Sequence, residues 1–294
     1  MNISTGSKFI LHGRREKDIV SEIAAAGFDC IDLTLVDMAN ADDHIFFKDD
    51  WRETALDLKQ EAERHGVFFN QAHAPFQMDM NKYLAGGDGE KDVLFRITRA
   101  IEVAATVGAK IIIVHPVQCM DYNNYDHKEI LEINKQFYAK LAPTAKKYGI
   151  KIAIENMWRN NIFNNNIITS VCSDPYELAL YVDECNKIEN CFVACLDIGH
   201  CTLTGVDPAK AIHVLGDRLQ ALHVHDNDFR HDTHSLPLLY NIDFEPIMKA
   251  LKDIEYSGDF TLETDRYFRD VPLELMPDAL TFAAKVCRYL TKNM

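Results

Sequence analysis

The 294-residue chain has no apolar run long enough to span a bilayer, since stretches such as IIIV at 111–114 stop after a few residues. Its first residues, MNISTGSKFILHGRREKD, lack the basic start and unbroken apolar core of a secretory signal, so a cytoplasmic protein is expected. No CxxC pair occurs among the eight cysteines, and Cys30, Cys119, Cys195 and Cys287 fall inside or beside apolar segments. Without an export signal that pattern reads as reduced, mostly buried thiols rather than a disulfide framework. Neither GxGxxG nor GxxxxGK is present, which removes the Gly-rich phosphate turn of dinucleotide and P-loop sites. Basic charge is also short, with 31 Lys and Arg against 45 Asp and Glu and a formal net charge of −14. Such a field repels phosphate backbones and anionic membranes, so neither nucleic acid nor membrane is expected as a partner. A local Lys or Arg pocket can still outweigh the global field, which leaves small phosphorylated ligands open.

What is present is alternation. Strand-like runs lie at 2–7, 30–35, 67–74, 110–116, 151–156, 193–200, 219–226 and 260–265. They are near-continuous apolar runs rather than strict alternations, as strands buried on both faces should be. Helical patterns separate them at 15–27, 51–66, 90–108 and 127–149, each ending at glycine: Gly27, Gly66, Gly108 and Gly149. Asp174-Pro175 and Asp207-Pro208 read as N-cap plus first-turn proline for later helices, and a last helix covers about 273–291. Eight β–α units without a composition break predict one closed α/β (β/α)8 barrel occupying 1–294 as a single domain. The Asn-rich segment NNIFNNN (160–166) is too long for a minimal turn and reads as a lid or binding loop.

The strand ends share a chemistry. His73 ends the third strand, His115 the fourth, Glu155 the fifth, Asp197 and His200 the sixth, His223 and His225 the seventh, and Glu263 the eighth. Carboxylates and imidazoles are costly in an apolar strand unless they are paired or bind a cation. In a barrel these positions converge on the C-terminal mouth, where active sites lie. Singly, each has a plainer reading: a satisfied histidine, a buried ion pair, or Asp197 capping its turn. Together, two Glu, one Asp and an imidazole make a mostly oxygen shell suited to one divalent ion, Mn²⁺, Mg²⁺, Co²⁺ or Zn²⁺.

The motifs HAPF (73–76), VHP (114–116), IEN (154–156), LDIGH (196–200), HVHDND (223–228), DTH (232–234) and LETD (262–265) carry a resemblance over nearly the whole chain. The sequence resembles the sugar phosphate isomerase/epimerase family with xylose isomerase-like TIM barrels, related to the AP endonuclease family 2 barrels. The resemblance implies metal ligands Glu155, Asp197, His223 and Glu263, with His223 chosen over His225 because it stands three residues before Asp226. It further implies Glu155 and Glu263 as the acid/base pair, and His73, His115, Trp158, His200, His225, Asp232 and His234 as substrate contacts. The implied reaction is isomerisation or epimerisation of a ketose or related sugar by proton abstraction next to a carbonyl, through a metal-stabilised enediolate. His115 and His200 would meet hydroxyls or shuttle protons, and Trp158 would cover a sugar face or simply pack beneath the Asn-rich loop.

Three other functions fit the same residues. The equivalents of AP endonuclease ligands, His73, His115, His200, Asp232 and His234, are all present, so a phosphodiesterase holding up to three zinc ions is one. A metal-dependent dehydratase or lyase on an inositol or keto-sugar is another, and a non-catalytic carbohydrate-binding barrel is the last. Arg159, Arg230 and Arg266 would hold a substrate phosphate or serve as surface charges. The expected partner is a small sugar or sugar phosphate. Barrels of this class often form homo-oligomers, although no interface signature stands out.

Overall fold

A computed structural model describes residues 1–8, 16–76, 78, 80–118 and 126–294. Cys119 and the residue 15 start of the first expected helix lie outside them. In chain order the strands are β1 (Ile3–Gly6), β2 (Cys30–Thr34), β3 (Phe68–His73), β4 (Ile111–Ile113), β5 (Lys151–Glu155), β6 (Trp158–Asn160), β7 (Ile167–Thr169), β8 (Phe192–Asp197), β9 (Leu219–His223) and β10 (Phe260–Leu262). Strands β6 and β7 pair with each other, antiparallel; the other eight form one parallel sheet in the order β10-β1-β2-β3-β4-β5-β8-β9. A parallel bridge from Val224 to Leu262 joins the two ends, through Val224 N–H to Thr261 O at 2.9 Å and Glu263 N–H to Val224 O at 3.1 Å. The result is a (β/α)8 barrel.

The helices stand where the glycine stops place them: Glu16–Ala26, Trp51–Arg64, Gly87–Val107 and His127–Tyr148. Gly108 (φ 100°) and Gly149 (φ 66°) take the left-handed conformation that ends the last two, and a side chain there would strain the backbone. Asp174 caps Pro175–Asn186 by accepting from Tyr176 N–H, and Asp207 caps Pro208–Leu215 by accepting from Ala209 and Lys210 N–H. Apolar residues of these helices pack on the outer face of the sheet in one continuous core, with Ile97, Phe137, Tyr138 and Tyr181 fully enclosed. The seven described cysteines are unbridged and buried. No helix among the described residues is long and apolar enough to cross a membrane.

Several boundaries differ from the sequence expectation. The fourth, seventh and eighth barrel strands end at Ile113, His223 and Leu262, so His115, His225 and Glu263 stand just past the strands expected to end with them. The sixth barrel strand ends at Asp197 rather than His200, because the Asp197 side chain accepts from His200 N–H at 2.7 Å and turns the chain into the helix Ile198–Leu203. The Asn-rich segment is the tip of the β6–β7 hairpin, where Ile162 and Phe163 are exposed. The last helix starts later, at Met276, after a single 3₁₀ turn over Leu273–Leu275.

Candidate functional site

Period two along the strands builds the site in layers. Ala153, Cys195 and Ala221 pack with Ile113 and Val193 inside the barrel. The residues two positions on, Glu155, Asp197, His223 and His115, share that inward face one layer nearer the mouth. Two irregularities set the phase. β3 carries an extra residue, Asn70, opposite the Ile31–Asp32 step, and β9 carries Gln220 opposite Ala194–Cys195. Each bulge re-aims the residues after it, bringing Gln71 and His73, then Ala221 and His223, onto the inner face.

His223 is fully buried at the centre. Its Nδ1 lies 2.7 Å from Glu155 Oε1 and 3.5 Å from Glu263 Oε2, while Nε2 lies 3.2 Å from Asp32 Oδ2. To one side, His115 Nε2 is 2.7 Å from Glu155 Oε2 and 3.1 Å from His73 Nε2. On the other, His225 Nε2 is 3.1 Å from Asp197 Oδ1, and its ring stacks on His234 at 4.2 Å between centroids. His234 Nε2 lies 3.0 Å from Asp232 Oδ2. The structure therefore brings together every candidate ligand and histidine contact named from the sequence. Trp158, at the start of the hairpin, lies edge-on to His200 at 6.2 Å.

Three of the histidines are aimed by the backbone. His73 Nδ1 meets Ala74 O, His200 Nδ1 meets Asn156 O and His234 Nδ1 meets Glu263 O, each at 2.8 Å. A carbonyl only accepts, so each Nδ1 donates and each Nε2 is the nitrogen free to bind elsewhere. Those three Nε2 atoms face His115 Nε2, Asp197 Oδ2 and Asp232 Oδ2 respectively.

Several buried polar atoms here lack a partner in hydrogen-bonding geometry among the described residues: Asp197 Oδ2, Asp232 Oδ1 and His225 Nδ1, while Glu155 Oε2 and His225 Nε2 are met by the ion-pair contacts to His115 and Asp197 given above. A polar atom left so costs about 1–3 kcal/mol. A divalent cation would satisfy such atoms. One ligand atom from each of Glu155, Asp197, His223 and Glu263 fits within a 4.8 Å span, as does one from each of His73, His115 and Glu155, and of His200, His225, Asp232 and His234. Bonds of about 2.0–2.3 Å to one ion place opposed ligand atoms at such separations. The donor sets thus fit a divalent metal, first at Glu155, Asp197, His223 and Glu263.

Electrostatics divides the two glutamates. Burial would raise the Glu155 carboxyl, but His223 and His115 hold it well below the usual carboxylate range. Burial pushes Glu263 well above its ordinary value, helped by the charges of Glu155 and Asp197 and opposed by His223 and His234. Burial lowers His115 to about 4 against the pull of Glu155. Above the cluster opens a cavity of about 470 Å³, walled by Phe76, Met78, Met157 and Trp158 and floored by His115, Glu155, His200, Asp232, His234 and Glu263. None of the described residues lining it is Lys or Arg; Arg230 and Arg266 are exposed.

Sequence reasoning missed three partners. Asp32 and Gln71 lie beneath His223, and Asn156 ties β5 to β8 by accepting from Asp197 N–H at 2.7 Å and donating to Asp197 O at 3.0 Å. Asp32 was visible by the argument used for the strand ends, a carboxylate in an apolar strand, but it sits mid-strand.

Fold and site together define a parallel α/β barrel whose carboxylates and imidazoles gather at the C-terminal mouth. A family model described as the xylose isomerase-like TIM barrel matches residues 20–285, and the chain belongs to that family. An uncharacterized protein of Methanocaldococcus jannaschii is 30% identical over 195 residues, 65% of this chain and 62% of that relative's length. A second, from Sinorhizobium fredii, is 27% identical over 67% of this chain and 62% of its own. The chain thus spans about 62% of the length of these relatives. Among solved structures, a D-psicose 3-epimerase crystallised with D-fructose superposes with a TM-score of 0.73 at 16% identity, covering 99% of both chains. A 3-keto-D-glucoside 4-epimerase from E. coli gives 0.72 at 17% identity, over 97% of this chain and 99% of the other. The IolI protein with a bound zinc atom gives 0.71 at 17%, over 99% and 98%. At these identities the likeness concerns the fold.

Proposed function

We propose that residues 1–294 act as one domain, a divalent-metal-dependent isomerase or epimerase of a ketose or related small carbohydrate in the cytoplasm. The observation that supports it most is the set Glu155, Asp197, His223 and Glu263, whose ligand atoms share one 4.8 Å span at the floor of a sugar-sized cavity. These four residues would hold the cation, which when bound polarises the substrate carbonyl and the neighbouring hydroxyl as a Lewis acid. Glu155, held ionised, is the base that takes the proton from the carbon beside the carbonyl. Glu263, just past the end of β10, would return a proton, on the other face for an epimerase or at the adjacent carbon for an isomerase. His115, His200, His234 and Asp232 line the floor within reach of hydroxyls, and Trp158 covers an apolar sugar face.

The test is deuterium uptake from D₂O into a panel of ketoses, followed by NMR with Mn²⁺ and then with EDTA. Metal-dependent exchange at the carbon beside the carbonyl is expected. Glu155→Gln should slow it by roughly 10²–10⁴-fold while the protein still melts cooperatively. Full activity in that variant would remove Glu155 from the acid/base role. Loss of water from the sugar, rather than a new epimer, would move the reaction to a dehydratase.

A second reading, a phosphodiesterase using up to three zinc ions, is favoured by the flanking sets His73–His115–Glu155 and His200–Asp232–His234. The net charge of −14 opposes a nucleic-acid substrate. Zinc-dependent cleavage of abasic DNA, with no exchange into any ketose, would establish it over the first.

A further inference from the structure

Beneath the proposed cation site, and outside its ligands, lies a carboxylate that the reaction does not use. Asp32 is on β2, only 2% exposed, in a strand otherwise built of Cys30, Ile31, Leu33 and Thr34. Its Oδ2 accepts from Gln71 Nε2 at 2.9 Å and lies 3.2 Å from His223 Nε2, while Oδ1 has no partner among the described residues. A carboxylate buried with one oxygen unsatisfied is costly to the fold, and the ionisable group that offsets that cost here is His223. Both ring nitrogens of His223 face carboxylates, Nε2 towards Asp32 Oδ2 at 3.2 Å and Nδ1 towards Glu155 Oε1 at 2.7 Å and Glu263 Oε2 at 3.5 Å. A cation taken up at Nδ1 would displace a proton there, and the proton left on Nε2 would be donated to Asp32, since a carboxylate only accepts. Gln71 holds the carboxylate itself, with its amide also 3.4 Å from Leu222 O on the strand that carries His223.

We propose that Asp32 is a positioning residue: through His223 Nε2–H it holds the ring with Nδ1 turned to the cation site, and Gln71 completes the chain Gln71–Asp32–His223. The inference rests on the metal reading above. It adds a polar relay on β2 and β3 that tunes cation affinity from below the site without touching substrate. The β3 bulge that turns Gln71 inward opposite Asp32 is part of the device.

Calorimetric titration of the chelator-stripped protein with Co²⁺, by competition with a chelator of known affinity, tests it. Asp32→Ala should weaken the tight site by about 10–100-fold. Asp32→Asn, which keeps shape and an acceptor oxygen but loses the charge, should fall between Asp32→Ala and wild type. In the Zn²⁺-loaded protein, NMR should show a slowly exchanging His223 Nε2–H, assigned by its absence in His223→Gln and lost in Asp32→Ala. Should Asp32→Ala fail to fold, Asp32→Asn and Gln71→Met carry the same readouts, with weakening in the same direction. Wild-type Co²⁺ affinity together with an unchanged Nε2–H signal in the Asp32 variants would overturn the proposal. No tight Co²⁺ uptake by the wild type, or uptake untouched by Asp197→Asn, would instead overturn the metal reading and the tuning with it, so the two failures are distinct.

Discussion

Asp197 shows how two roles fit on one carboxylate. Oδ1 caps the helix after it, through His200 N–H, and Oδ2 is left unpartnered at the mouth. The geometry supports the capping reading and leaves Oδ2 available for the ligand role proposed above. Gly199, between the cap and His200 in the LDIGH motif, has a steric role. A Cβ built there would lie 1.9 Å from His225 Cε1 and 2.3 Å from Nε2. The ring has nowhere to go, because it stacks at 9° on His234 and faces Asp197 and Asp232. Gly199→Ala should therefore destabilise the chelator-treated protein by about 1–3 kcal/mol, the usual range for an overpacked core. It should also displace His225 from Asp197. Urea unfolding reads the first effect, and a wild-type midpoint and slope in the variant would show that the ring has room to move. The carboxylates and histidines that gather at the mouth, in the strands or just past them, were legible in the sequence as one group. Asp32, Gln71 and Gly199 were not, because the surroundings of each are set by a neighbour on another strand.

At the scale of elements, the loop after β9 carries Asp232 and His234 and is the least relaxed part of the site. Phe229 (φ 65°), His234 (φ 40°) and Leu238 (φ 73°) all sit in the left-handed region without being glycine. Such residues cost on the order of 1–3 kcal/mol each and persist only when the surroundings over-determine them. Here the determinant is Asp226, whose carboxylate accepts from the backbone N–H of Asn227, Tyr240 and Ile242 at 2.9–3.0 Å. Its own backbone exchanges hydrogen bonds with Ser235, and its carbonyl accepts from Thr233 Oγ1. Asp226→Ala leaves three donors without their acceptor, at about 1–3 kcal/mol for each that stays buried. The loop should then open. Limited proteolysis should cut within 228–240 in the variant and spare the wild type; equal resistance would mean the strain is held elsewhere. The same scale explains where sequence reading of the fold stopped. The β–α alternation and the glycine stops were legible because burial on both faces and helix termination leave local marks. The end of the sixth strand was not, since whether Asp197 continues the strand or caps a helix depends on where its side chain turns. Nor were the bulges at Asn70 and Gln220, which insert a residue without changing composition.

At the scale of the whole molecule, many like-charged groups share one barrel mouth, and their balance makes stability depend on pH and cation together. Burial lowers His225, but Asp197 and Asp232 raise it to about 9; burial and His225 lower His234, but Asp232 and Glu263 raise it to about 9. A histidine raised in the folded state stabilises the fold through its charged form. That contribution is complete below the unfolded value of about 6.5 and is lost as pH climbs through about 9. The cation-free protein should accordingly melt at lower temperature as pH rises from 6.5 to 9. Cation binding runs the other way, because the ligand nitrogens must first lose their protons, so affinity grows with pH. Stabilisation by a bound ion scales as RT ln(1 + [L]/Kd), about 2.7 kcal/mol at a hundredfold excess over Kd. The gap in melting temperature between Mn²⁺-loaded and EDTA-treated protein should thus widen steadily between pH 6.5 and 9. Asp232→Asn should flatten the EDTA limb by removing the carboxylate that holds His225 and His234 charged. A gap that stays constant or narrows would mean that these histidines enter the folded protein neutral, and no gap at any pH would mean that the mouth is not a cation site.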